Sequence, residues 1–200
     1  MAPPRFTLAT LTLRKTALCL AAAGALSGGA AGCGPDDSPG SVAGAVRFDP
    51  CARLVLIPDL GLSADAVTGV GAGIGLWNQA AHARVVMGSS GPGASDLAGQ
   101  PLALPIHFQA AGAPFHGLYD PAGAQIFINT DLEGHDRIVA VAHEVGHAFG
   151  LVHVPLDERR SVMNSGNLDE EPNAADVAAL AAIWGTCAPG AEPASPADAP

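Results

Sequence analysis

The sequence predicts an α+β domain. Three observations lead there: short apolar runs bounded by Pro and Gly, longer segments with helical spacing, and their alternation along the chain. Residues 53–58 (Arg-Leu-Val-Leu-Ile-Pro) are apolar and β-branched, and read as a first strand. Ser63 can cap a helix running to about His82, with Val67, Val70, Ile74 and Trp77 recurring at helical spacing. Gly69, Gly71, Gly73 and Gly75 lower the helix propensity of that segment. Residues 84–87 and 104–108 read as further strands, separated by a Gly/Ser/Pro loop over 88–101. Gly117–Asp120 and Gln125–Asn129 read as two strands around the turn Pro121-Ala122-Gly123. Asp136 can cap the next helix, whose apolar positions are Ile138, Val141, Ala142, Val145, Ala148 and Phe149. Asn173 caps a last helix, Ala174–Trp184, with Asp176 in its first turn and Gly185 as the stop signal.

The second of these helices carries the chemistry. His143-Glu144-Val145-Gly146-His147-Ala148-Phe149-Gly150-Leu151-Val152-His153 has the pattern H-E-x-x-H-x-x-G-x-x-H. His143 and His147 are four apart on a helix, so both imidazoles leave one face and can share a metal ion. Glu144 is adjacent to the first ligand and can reach a metal-bound water. Gly150 can take a positive φ, end the helix and turn the chain so that His153 becomes a third ligand. Three protein ligands leave a fourth position for water, as in a catalytic zinc site. A shuffled chain of this composition would match the pattern only about three times in 10⁵, so composition alone does not supply it.

With these residues the chain resembles the metzincin clan of zinc endopeptidases, and within it the matrixin catalytic domains. The clan adds a Met-containing turn after the third His, and Ser161-Val162-Met163-Asn164 stands ten residues beyond His153. The resemblance covers roughly residues 50–187, with its specific part in 143–163. It implies a twisted mixed β-sheet packed on two helices with a C-terminal third helix, and a cleft below one edge strand. It implies Zn²⁺ as cofactor, held by His143, His147 and His153, with Glu144 as general base and Met163 in the Met-turn. It also implies an extended peptide or protein substrate pairing with the edge strand, most plausibly residues 116–119. The chain departs from the clan in places. No Tyr follows Met163, no prodomain is recognisable, and 164–168 replaces the more aromatic wall of matrixins. Side-chain preference is therefore not legible.

The other histidines, His82, His107, His116 and His135, lack ligand spacing and read as surface or core residues, His116 lying nearest the expected cleft. No Asp-rich Ca²⁺ loop appears, and Asp169-Glu170-Glu171 reads as a solvated patch.

Residues 1–32 read as an export signal: Arg5, Arg14 and Lys15 precede a short apolar run and a small-residue exit. The exit Ala30-Ala31-Gly32-Cys33 resembles a bacterial lipobox, with Ala30 where Leu is usual. That resemblance implies cleavage before Cys33, a lipid on its sulfur and an exported, outer-membrane-anchored product; a soluble secreted product cut nearby is the alternative. Cys33-Gly34-Pro35-Asp36 superficially resembles the cysteine switch of matrixin propeptides, but only a signal peptide precedes it. Residues 33–50 read as a flexible tether, 51–187 as the catalytic domain and 188–200 as a disordered tail.

Cleavage before Cys33 leaves all 19 acidic residues against six Arg and no Lys, a net charge of about −13. Phosphate binding needs clustered cations, so a nucleic-acid partner is excluded. Cys19 leaves with the signal and Cys33 would be lipidated, so Cys51 and Cys187 remain. An even remainder in an exported protein suggests a disulfide, two free buried thiols being the alternative. The leading function is peptide-bond hydrolysis by a monomeric zinc metalloendopeptidase. The alternative is an exported zinc-binding lipoprotein that holds a partner or metal without proteolysis, and an intact Glu144 argues against it.

The N-terminal reading is open to direct measurement. Mass spectrometry of the exported protein is expected to find Cys33 as the first residue, carrying lipid. An N-terminus elsewhere, or solubility without detergent, would remove the anchor.

Overall fold

The computed structural model describes residues 46–88, 102–112 and 114–189. The signal, Cys33, most of the tether, loop residues 89–101 and the tail from 190 lie outside the described residues. The elements run β1 (Leu54–Pro58), α1 (Ala64–Ala81), β2 (Val85–Met87), β3 (Ala103–Gln109), β4 (Gly117–Asp120), β5 (Gln125–Asn129), α2 (Gly134–Ala148) and α3 (Ala174–Trp184). The sheet order is β2-β1-β3-β5-β4. Strands β2, β1, β3 and β5 are mutually parallel, and β4 returns antiparallel to β5 at the edge. This is the expected mixed sheet with three helices.

Alternation decides which face is covered. Leu54, Leu56, Leu104, Ile106, Ile126 and Ile128 are fully buried on one face, in one core with Val70, Ile74 and Trp77 of α1 and Val141 and Val145 of α2. Ser63 caps α1 by accepting from the Ala66 N–H at 3.1 Å, and His82 closes it in the left-handed conformation at φ 53°. Asn173 and Asp176 form a reciprocal capping box at the start of α3, and Gly185 ends it.

Two expectations need correction. Asp136 does not cap α2: the helix starts two residues before it, with Glu133 at the N-cap and no side-chain cap bond. Asp136 instead lies in the first turn, where its charge faces the positive end of the helix dipole. The tether ends before residue 50. Val46 N–H donates to Pro121 O at 3.0 Å, Phe48 N–H donates to Ala148 O at 2.9 Å, and Phe48 is buried in the core. An aromatic ring that can be taken out of water outweighs the polar composition around it.

The glycines of α1 also have a use that propensity hides. A Cβ on Gly73 would stand 2.8 Å from Ile138 O and 2.7 Å from Val141 Cγ1, so α1 and α2 touch there through bare backbone. Cys51 and Cys187 form a disulfide, joining the chain three residues before β1 to the chain three residues after α3.

Gly73→Ala should destabilise the fold. Overpacking costs about 1–3 kcal/mol, offset by the ~1 kcal/mol that Ala gains over Gly in a helix. The Ile138 carbonyl cannot rotate away as a side chain would, so the cost should sit at the upper end. A lowered urea midpoint is the expected reading, and a raised midpoint would show that the helices can part without loss.

Candidate metal centre

Helix α2 is buried almost all round from Val139 to Gly146 because it runs between α1 and the β4–β5 end of the sheet. His143 and Glu144 of this helix line the cavity beside it. The Nε2 atoms of His143, His147 and His153 lie 3.1 Å from one another in all three pairs. Gly150, at φ +93°, provides the turn after α2 that brings His153 back. The spacing argument is thus realised by both of its parts, the i, i+4 pair and the glycine turn.

What surrounds the rings fixes which nitrogen donates a hydrogen bond. His143 Nδ1 lies 2.6 Å from Val162 O and His147 Nδ1 lies 2.9 Å from Leu151 O, so both Nδ1–H groups donate to backbone carbonyls. Both Nε2 atoms then carry lone pairs aimed at a common point. Converging lone pairs repel one another unless a cation stands among them. Three nitrogens at this spacing would all reach one metal ion at the usual metal–imidazole distance of about 2 Å. Burial, and then the neighbouring His147, hold the His143 imidazole down at about 3, so it is neutral and ready to donate. His143 is buried while His147 and His153 are half-buried, which leaves one side of the triangle open.

Glu144 is 5 % exposed, and it lines a cavity of about 130 Å³ with Phe115, His116, Gly117, His143 and Asn167. Burial pushes its carboxyl up to about 8, with a backbone N–H of Tyr119 pulling the other way.

The turn at 161–164 supports the first imidazole from below. Asp176, fully buried, accepts from Arg159 Nη1 at 2.8 Å, from Val162 N–H at 3.1 Å and from the Ser161 hydroxyl. That fixes Val162, whose carbonyl receives His143. Met163 is 1 % exposed and packs under α2, where a Cβ on Gly146 would stand 2.5 Å from its sulfur. Asn164 ties the turn to the preceding loop, donating to Val154 O at 2.8 Å and Arg159 O at 2.9 Å.

Sequence reasoning named the three His, Glu144, Gly150 and Met163, and the structure brings all six together. It missed four others. Asn129, buried, donates to Phe115 O at 2.9 Å and holds the cavity wall. Asn167 lines the same cavity and donates to Glu170 O at 2.7 Å. Gly146 admits Met163, and Asp176 acts beyond its own helix. No pattern of local spacing could have found Asn129 or Gly146, since their partners are remote in sequence. The spare histidines stand apart from the triangle, except that His116 lines the cavity. His107 pairs with Asp59 at 2.8 Å, and His135 lies exposed near Asp169 O.

No protein-family model matches the chain, and no curated protein matches it. Among solved structures the chain is similar to archaemetzincin from Methanopyrus kandleri, at 16% identity and a TM-score of 0.45, over 66% of this chain and 94% of that one. An overlap that loose transfers no residue role, and the site stands on its own geometry.

The shift at Glu144 has a measurable consequence. A carboxyl raised to about 8 is mostly protonated at pH 7 in the metal-free protein. A divalent cation nearby favours the carboxylate and lowers that value, so metal binding at pH 7 should release a proton from it. His143, already neutral, contributes none. Calorimetry of zinc binding in buffers of different ionisation enthalpy should therefore show more proton release in the wild type than in Glu144→Gln. Equal release would remove the buried acid from the account.

Proposed function

We propose that the chain is a zinc-dependent endopeptidase. The observation that carries this reading is the 3.1 Å triangle of three imidazole nitrogens with a buried carboxylate on the adjacent residue. Three imidazole ligands suit zinc among the biological divalent ions, and a three-ligand set leaves a position for chemistry. Zinc, when bound, supplies a Lewis acid for a peptide carbonyl and makes water acidic enough to lose a proton near neutral pH.

The protein's own residues do the rest. Glu144 takes the proton from the attacking water and passes it to the leaving amine, as its burial and raised basicity favour. Val162 O and Leu151 O hold the His143 and His147 rings so that both give their Nε2 lone pairs. The β4 edge offers backbone groups on which an extended substrate can align by strand addition. The cavity beside Glu144, far below the size that holds a drug-sized ligand, takes one substrate side chain. Residues 46–189 contain no helix long and apolar enough to cross a membrane among those described. Export and anchoring through a lipid on Cys33 remain part of the proposal, as does a likeness to matrixins in particular.

Glu144→Gln tests the chemistry. The amide keeps size and shape but cannot act as a base, so zinc should stay bound while hydrolysis of a broad peptide library falls by roughly 10²–10⁴-fold. Equal cleavage by wild type and variant would overturn the mechanism. A zinc-loaded wild type that cleaves nothing in that library would favour a binding protein instead.

A further inference from the structure

Gly117 begins β4, and its α-carbon faces α2. Side chains alternate along a strand, so Gly117 and Tyr119 share the covered face while Leu118, 40 % exposed, points away. Tyr119 sends its ring into the core and its hydroxyl to Val46 O at 2.6 Å. Gly117 sends nothing, and Glu144 occupies that space. A Cβ at Gly117 would lie 2.8 Å from both Cγ and Oε1 of Glu144 and 3.1 Å from its Cδ.

Which side would give way is decided by what holds each. Gly117 pairs with Ile128, and the residue before it is pinned because Asn129 N–H donates to His116 O at 2.9 Å. The buried Asn129 side chain also holds Phe115 O, so the strand cannot retreat from α2 without breaking bonds to a central strand. Glu144 is held by one backbone N–H, that of Tyr119, but has the cavity on one side and can be displaced into it. Gly117 does not have a left-handed φ, so its backbone accepts alanine, and the three atoms nearest an added Cβ all belong to Glu144.

We propose that Gly117 is a positioning residue. The missing side chain on the edge strand is the seat of the Glu144 carboxyl, and it sets where that group stands relative to the three imidazoles. The inference rests on reading Glu144 as the general base of the proposed hydrolysis.

The test is a size exchange in the full-length, zinc-loaded protein. Gly117→Ala should keep one zinc per chain, with affinity in chelator competition unchanged. It should lower kcat by about 10²-fold, the scale of a 1 Å misplacement, with KM moving far less. Glu144→Asp retracts the carboxyl by one methylene, so adding Gly117→Ala to it should cost little more. Equal factors for Gly117→Ala in both backgrounds would mean that the glycine acts independently of Glu144, and would overturn the proposal. Crystal structures of the variants give a reading that needs no turnover. A Glu144 carboxyl displaced in Gly117→Ala supports the inference even if the wild type cleaves nothing, in which case only the peptidase reading fails. An unmoved carboxyl overturns it whatever the activity. Should Gly117→Ala alone not fold, folding restored in the double variant supports the seat, and a double variant that stays unfolded while Glu144→Asp folds rejects it.

Discussion

A carboxylate with no solvent exposure is tolerated only where donors replace the water it has lost, and Asp176 meets that condition from three directions. Its own helix supplies the N-cap amide of Asn173, the turn supplies the Ser161 hydroxyl and the Val162 amide, and Arg159 supplies the compensating charge. The consequence reaches further than the pair itself. The turn so held presents one carbonyl to His143 and one sulfur to Gly146, so the aim of the first imidazole is set by a charge on a different helix. Removing one partner would leave the others buried without compensation, which makes this network an all-or-nothing support.

The metal-free centre is electrostatically quiet for the same reason that it is buried. Desolvation disfavours charge of either sign, driving His143 down to about 3 and Glu144 up to about 8. Both groups are therefore neutral at pH 7 before a cation binds. A divalent cation supplies positive charge and turns the acid beside it into a base. Pairs of groups pushed in opposite directions by one environment are a recurrent mark of acid–base sites.

Much of this was legible in the chain. The strands and helices were readable because their signals are local: Ser63, Asn173 and Gly185 mark helix ends, and β4 and β5 flank a turn. The three His and Glu144 were readable because helical geometry converts spacing into a shared face. Cys51 and Cys187 were readable only as an even remainder, with free thiols left open, because pairing depends on how the ends of the domain meet. What stayed hidden is close approach between elements. Gly73, Gly117 and Gly146 each face a partner from another part of the chain, and a glycine in sequence looks like lost propensity until that partner is placed. Phe48 was hidden for the related reason that polar neighbours masked one ring with a pocket to fill. Asp176 was readable only as an acidic residue in the first turn of its helix, because its second set of donors lies across a turn.

The disulfide also determines how the domain sits within any longer molecule. Its two α-carbons are 5.0 Å apart although they stand 136 positions apart in the sequence, so both ends of the disulfide-closed segment are held at nearly one point. A unit of that kind is close to a covalent ring. It can hang from a neighbour by one stalk, with its cleft free to turn, and it can be spliced into a surface loop of another protein without prising its own ends apart. For the same reason its sequence could be reopened elsewhere, at an exposed turn, and still describe the same fold.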